Sequence, residues 1–278
     1  MCYLLYLEFT LPTHYPNKFL LIIWLCIIFF FCPNFLQAQN NLGLRTGLED
    51  IETLVKSPTK WNLKQGLTFL SISGLTYAAM YFDDDIQKFA LENNAYANSI
   101  PMQFGRIWGE PWFTGTVGLG LYLQGLAAEN SANKNLAFEI GESAFFTGIL
   151  TLVIKYSFGR TRPRVTNDQF SFLPFSFKND DYVSFSSGHT ALAFALSTVL
   201  AKNTNNTFLK MIFYLPASLT AVSRIYQNHH WLSDVIFGGV LGYTVASFIT
   251  NRHTEKKEFP ENPKPSFQLL NFAYPIKY

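Results

Sequence analysis

SRIYQNHHWLSD, residues 223–234, is the stretch on which the reading of this chain turns. An apolar segment of about residues 208–222 leads into it and another of about 235–250 leads out, so the polar cluster sits in the gap between two helices. Five residues separate Arg224 from His230, and three separate His230 from Asp234. On a helix that begins near here, a carboxylate four residues after an imidazole can reach its ring. That pairing fixes the tautomer and supports the positive charge that a nucleophilic imidazole acquires.

Outward from this gap, four further apolar stretches recur, at about 66–82, 112–128, 138–158 and 189–201. All six are rich in Gly, Ala, Ser and Thr, whose small side chains suit tight helix–helix contact. The expected fold is therefore all-α, a six-helix bundle. Antiparallel succession would bring three clusters to one end of it. KYSFGRTRP (155–163) closes the third stretch, SSGH (186–189) opens the fourth, and residues 223–234 join the fifth to the sixth.

The combined chemistry is that of a phosphate site. Arg162 and Arg224 offer forked guanidinium donors and Lys155 an ammonium, enough to neutralise a phosphoryl group. Ser187 and Gly188 at a helix start present backbone N–H groups, and glycine lets the backbone approach an oxyanion closely. His189 has no carboxylate at the spacing that serves His230, and beside the anion-binding turn it suits a general acid for the leaving oxygen. His229 adjoins His230 but does not fit the spacing, and reads as a neighbour that shapes the pocket.

These motifs resemble the type 2 phosphatidic acid phosphatase superfamily, which includes class A acid phosphatases and vanadium haloperoxidases. Its pattern of K-x6-RP, PSGH and SR-x5-H-x3-D is matched at every position but Ser186, which stands where the pattern has Pro and could act as a cap. The motifs span 155–234 and the helical layout extends the likeness to roughly 64–250. The resemblance implies a PAP2-type bundle with its active site at one end. Lys155, Arg162, Ser187, Gly188 and Arg224 would hold phosphate. His189 would protonate the leaving group, His230 would form a phosphohistidine and Asp234 would orient it, with no metal or cofactor. The implied activity is hydrolysis of a lipid phosphate or diphosphate, such as undecaprenyl diphosphate, phosphatidate or a lipid A phosphate. A soluble periplasmic acid phosphatase and, with lower weight, a vanadium-dependent haloperoxidase use the same residues.

Composition bounds these readings. The 278 residues carry a net charge of +2, only 14% are charged and 17% are aromatic, which excludes a disordered chain. Without a block of Lys or Arg, nucleic acid is not an expected partner. FLLIIWLCIIFFFC, residues 19–32, is short for a bilayer span and fits a secretory signal or anchor over 1–38. All three cysteines, Cys2, Cys26 and Cys32, fall in that leader. An amphipathic lead-in (39–63), the phosphatase-like domain (64–252) and a polar tail (253–278) would follow. The expected location is the bacterial cell envelope, either membrane-associated with the site facing the periplasm or soluble in the periplasm. Positive-inside counting supports that orientation, because Lys56, Lys60, Lys134, Lys202 and Arg252 lie on the face opposite the motifs. Asp83, Asp84 and Asp85 read as a solvated loop, Arg160 and Arg164 as a widening of the positive mouth or as solvent-facing, and His14 and His253 as solvated bystanders.

Overall fold

A computed structural model describes residues 44–175 and 179–256. The leader with His14 and the cysteines, and the tail from 257, lie outside the described residues. The helices are α1 (Leu44–Lys56), α2 (Leu63–Met80), α3 (Asp83–Glu92), α4 (Ile100–Trp108), α5 (Pro111–Ala127), α6 (Ser131–Phe158), α7 (Gly188–Lys202), α8 (Thr207–Tyr226) and α9 (Leu232–Lys256). Among the described residues there is no strand, only an isolated antiparallel bridge between Arg160 and Phe172. The fold is all-α. Each apolar stretch lies within a helix, and α3 and α4 are added where the sequence suggested connecting loop.

Local chemistry explains the boundaries. Asn62 caps α2 in a reciprocal box with Gln65, each bond 2.9 Å, and Asn130 and Asn206 accept first-turn N–H groups of α6 and α8. Pro111 opens α5, where a missing N–H costs nothing. Asp83, Asp84 and Asp85 form the first turn of α3 instead of a loop, since acidic groups complement a helix N-terminus. Gly159 ends α6 at φ 60°, and a Cβ there would lie 1.7 Å from the Leu173 carbonyl oxygen. Only glycine makes that turn, which carries Arg160–Pro163 across the end of the bundle.

Helix α7 forms the centre, with Ala191, Ala193, Ala195, Leu196 and Val199 at most 1% exposed. It packs against α6, α8 and α9. The α7–α9 approach is close, because a Cβ at Gly242 would come within 1.9 Å of the Ala191 oxygen. That closeness sets the two helix starts side by side, and the Ser187 N–H donates to the Asp234 carbonyl at 3.1 Å. Leu136, Ile140, Leu196, Val199, Leu200 and Ala246 make one apolar core, with Trp108 and Phe113 packed against it. Ile51 and Leu54 fix α1 onto a second core of Phe146, Val245 and Ile249.

The outside is unusually apolar. Leu63, Leu70 and Leu75 on α2, Leu119 and Leu123 on α5, and Phe208, Met211 and Leu215 on α8 are all more than half exposed. Helices α6, α8 and α9 are long and apolar enough to cross a membrane. At the end opposite the motifs, α9 runs on to Lys256, and His253 is fully buried against Asp50, Glu139 and Glu142 instead of being solvated in a polar tail.

Candidate active site

The end of α6, the turn into α7 and the α8–α9 gap converge at one end of the bundle. His230, 4% exposed, has its Nδ1 3.6 Å from Asp234 Oδ2 and its Nε2 3.3 Å from Arg162 Nη1. Arginine has only donors, so Nε2 is the acceptor and the ring proton sits on Nδ1, toward the carboxylate. Burial drives the His230 pKa well below the ordinary imidazole value, with Arg162 and Lys155 adding to it and Asp234 opposing. The ring is therefore neutral, with a lone pair aimed at the cationic side.

Arg162 is held by the Asp180 carbonyl at 2.7 Å, the Asp180 carboxylate at 2.9 Å and the His229 carbonyl at 2.9 Å. Lys155 reaches the Val183 and Ser184 carbonyls. Arg224 donates Nη2 to Gln227, while its buried Nε has no hydrogen-bond partner. The Ser187 N–H is taken by the Asp234 carbonyl, and its hydroxyl lies 3.0 Å from the Thr190 hydroxyl. At Gly188 an added Cβ would meet only ordinary contacts, 3.4 Å from Thr151 and 3.8 Å from Lys155, so packing does not require the glycine. Ser186 is no cap. The peptide bond before it is cis, its hydroxyl is buried without a partner, and the N-cap position of α7 belongs to Ser187.

His189 does have a carboxylate, supplied from far away in sequence: its Nε2 lies 3.5 Å from Glu110 Oε1, just before α5. Burial lowers the His189 pKa, Glu110 raises it, and Arg224 and Lys155 lower it. In return His189 holds the Glu110 carboxyl below the usual range. His229 lies 3.4 Å from Arg164, and burial, reinforced by Arg224, Arg162 and Arg164, pushes it down to about 4.

Two residues behind the site were misread from sequence. Arg160 does not line the mouth: it is fully buried between the rings of Phe172 and Trp231. It donates to Asp234 Oδ1, Asp83 Oδ2 and the Ser233 hydroxyl, each at 2.7 Å. Asp83 is not solvated either: it accepts the Ser233 N–H at 2.8 Å and hydroxyl at 2.6 Å, satisfying a first-turn donor of α9. Asp234 also accepts from the Ser184 hydroxyl at 2.5 Å and the Trp231 N–H at 3.0 Å. The carboxylate facing His230 is thus held by donors on both oxygens. The doublet of Arg160 and Arg162 in one motif was the only hint of Arg160, and nothing in the sequence pointed to Glu110.

Residues 136–258 match the sequence pattern of the PAP2 superfamily. Over 93 residues the chain is 39% identical to a lipid A 1-phosphatase of Porphyromonas gingivalis, covering 33% of this chain and 18% of that protein. Over 162 residues it is 26% identical to a PA-phosphatase related-family protein of Dictyostelium discoideum, covering 50% of this chain and 58% of that one. The chain therefore spans less than two thirds of these relatives' lengths. Among solved structures, Aquifex aeolicus LpxE aligns at 23% identity and a TM-score of 0.41, covering 58% of this chain and 94% of that one. A transmembrane PAP2 type phosphatidylglycerolphosphate phosphatase from Bacillus subtilis aligns at 20% identity and a TM-score of 0.47, covering 70% and 96%.

Proposed function

We propose that this chain, whose residues 136–258 match the PAP2 superfamily, is a membrane-embedded lipid phosphatase working through a phosphohistidine on His230. The observation that carries the reading is the two-sided setting of that imidazole, with Asp234 facing Nδ1 and Arg162 facing Nε2. A neutral ring with its lone pair among cations is what attack on a phosphoryl group requires.

In the first step Nε2 forms a bond to phosphorus while the bond to the lipid oxygen breaks, and protonated His189 gives its proton to that oxygen. Arg162, Arg224 and Lys155 neutralise the equatorial oxygens, and the N-terminal amides of α7 add donors. The ring becomes cationic, and Asp234 supports it. In the second step water attacks phosphorus, His189 takes the water proton, and the nitrogen–phosphorus bond breaks to release inorganic phosphate and neutral His230.

The apolar exterior argues for a substrate that arrives from lipid. The 39% identity with a lipid A 1-phosphatase makes a glycolipid phosphate of that type the first candidate. The site would face the periplasm. The test is phosphate release by detergent-solubilised protein from lipid A, phosphatidate, undecaprenyl diphosphate and an aryl phosphate, beside His230→Ala. Release from a lipid that vanishes in the variant, with an acid-labile phosphoryl-enzyme trapped in the wild type, is the expected result. Release that persists in His230→Ala removes the mechanism, and turnover of the aryl phosphate alone removes the lipid.

A further inference from the structure

The buried residues of α3 are Asp83, Gln87 and Ala90, so two of the three are polar, and those two lie one turn apart on the same face. Asp83 is tied to Arg160 and Ser233, whereas Gln87 reaches two other segments of the active site at once. Its Nε2 donates to the Pro163 carbonyl at 2.9 Å and to Asn228 Oδ1 at 3.1 Å, across 76 and 141 residues. Pro163 directly follows Arg162, and Asn228 stands two residues before His230. We propose that Gln87 is a positioning residue for phosphoryl transfer, its amide bridging the Arg162 turn and the His230 loop so that Arg162 meets the imidazole. The inference rests on the reading of His230 as the nucleophile.

The amide orientation follows from the partners. A proline carbonyl only accepts, so the Gln87 atom facing it is the nitrogen, and both hydrogens of that nitrogen are used. Gln87 is buried, and a buried amide costs stability unless its donors are met. The bond to Asn228 falls on an unusual point of the backbone. Asn228 has φ 54°, a left-handed conformation that asparagine tolerates better than most residues. It makes the turn out of α8, after which the His229 and His230 N–H groups both donate back to the Arg224 carbonyl, at 3.1 and 3.4 Å. Holding Asn228 therefore holds the start of the His230 loop. The two segments also touch directly, through Arg162 to the His229 carbonyl and Trp231 Nε1 to the Thr161 carbonyl, each at 2.9 Å. Gln87 comes from outside both and braces them against α3. The contact it serves is that of Arg162 Nη1 with His230 Nε2 at 3.3 Å, and small displacements of such a pair cost catalysis before they cost folding.

The test measures phosphate release by the full chain in detergent from lipid A, phosphatidate, undecaprenyl diphosphate and an aryl phosphate, for wild type, Gln87→Leu, Asn228→Gly and His230→Ala. Gln87→Leu keeps much of the bulk and removes both bonds, while Asn228→Gly keeps the left-handed turn and removes one. The kcat should fall about tenfold in Gln87→Leu and by less in Asn228→Gly. The pH profile separates positioning from mere support. His230 must be neutral to attack, so activity falls as pH drops through its pKa. Burial, Arg162 and Lys155 keep that value low, against Asp234. With Arg162 drawn away the value rises, so the acid limb of kcat/KM should move to higher pH in both variants. Should Gln87→Leu not fold, Asn228→Gly decides by the same limb. An acid limb that stays in place while His230→Ala is inactive overturns the role of Gln87, whatever happens to Tm. Release that persists in His230→Ala, or no release by the wild type, removes the reading of His230 and this inference with it.

Discussion

The two ends of the bundle each bury a histidine, and the same pair of helices, α6 and α9, runs between them. At one end His230 faces Arg162, with Lys155 nearby and a single carboxylate on its other nitrogen. At the other, His253 faces Asp50 and Glu142 through one nitrogen and Glu139 through the other. Cations around an imidazole disfavour its charged form and leave a lone pair free for chemistry. Carboxylates around an imidazole favour a positive charge at the same point. The two ends thus surround their histidines differently, with an arginine at one and carboxylates at the other.

Several substitutions would sharpen or break that contrast. His230→Ala should lower phosphate release about 10³-fold or more with little change in Tm if His230 forms the proposed covalent intermediate. Arg160→Met should cost about 3–5 kcal/mol, because Asp83 and Asp234 stay buried without their shared cation. Chemical denaturation measures that loss, and an unchanged stability would show that the carboxylates find other donors. Asp50→Asn should weaken the far end by about 1–3 kcal/mol while leaving kcat at low temperature unchanged. A kcat that falls with it would mean the two ends are coupled.

Gly188→Ala is subtler. Its contacts are ordinary, so Tm should hold or rise slightly, yet phosphate release should drop if the glycine keeps the backbone open to an oxyanion. The smallest expected effect is on pH dependence. In the proposed mechanism His189 must carry a proton to act as an acid, so activity should fall as pH rises through its pKa, which burial has moved below the ordinary value. Glu110 pulls that value upward, and Glu110→Gln should therefore shift the alkaline limb of kcat/KM to lower pH. A limb that stays in place would assign that proton to another group.

That the motif residues gather at one end of the bundle could be read from the sequence, because they cluster at helix ends with fixed spacings. His230 and Asp234 are four apart, and although α9 begins only at Leu232, the bend that precedes it leaves the ring 3.6 Å from the carboxylate. The partners that hold them could not be read that way. Arg160 meets Asp83 across 77 residues and Asp234 across 74, and an arginine in a polar motif reads as solvent-facing until a buried carboxylate is set against it. His253 was misread for the same reason: Asp50, its partner, is 203 residues away.

Periodicity, caps and short spacings are local properties, and from them the sequence alone determined that the chain is helical, where its apolar helices run and which motif residues share an end. Which carboxylate backs which histidine was decided only by tertiary packing. Small residues such as Gly242 let α7 and α9 approach closely, and Gly159 turns Arg160 inward beneath Asp234. Burial then removes the water that would otherwise screen these groups, so each charge must find an opposite one, and only the packed bundle fixes which opposite charge is within reach.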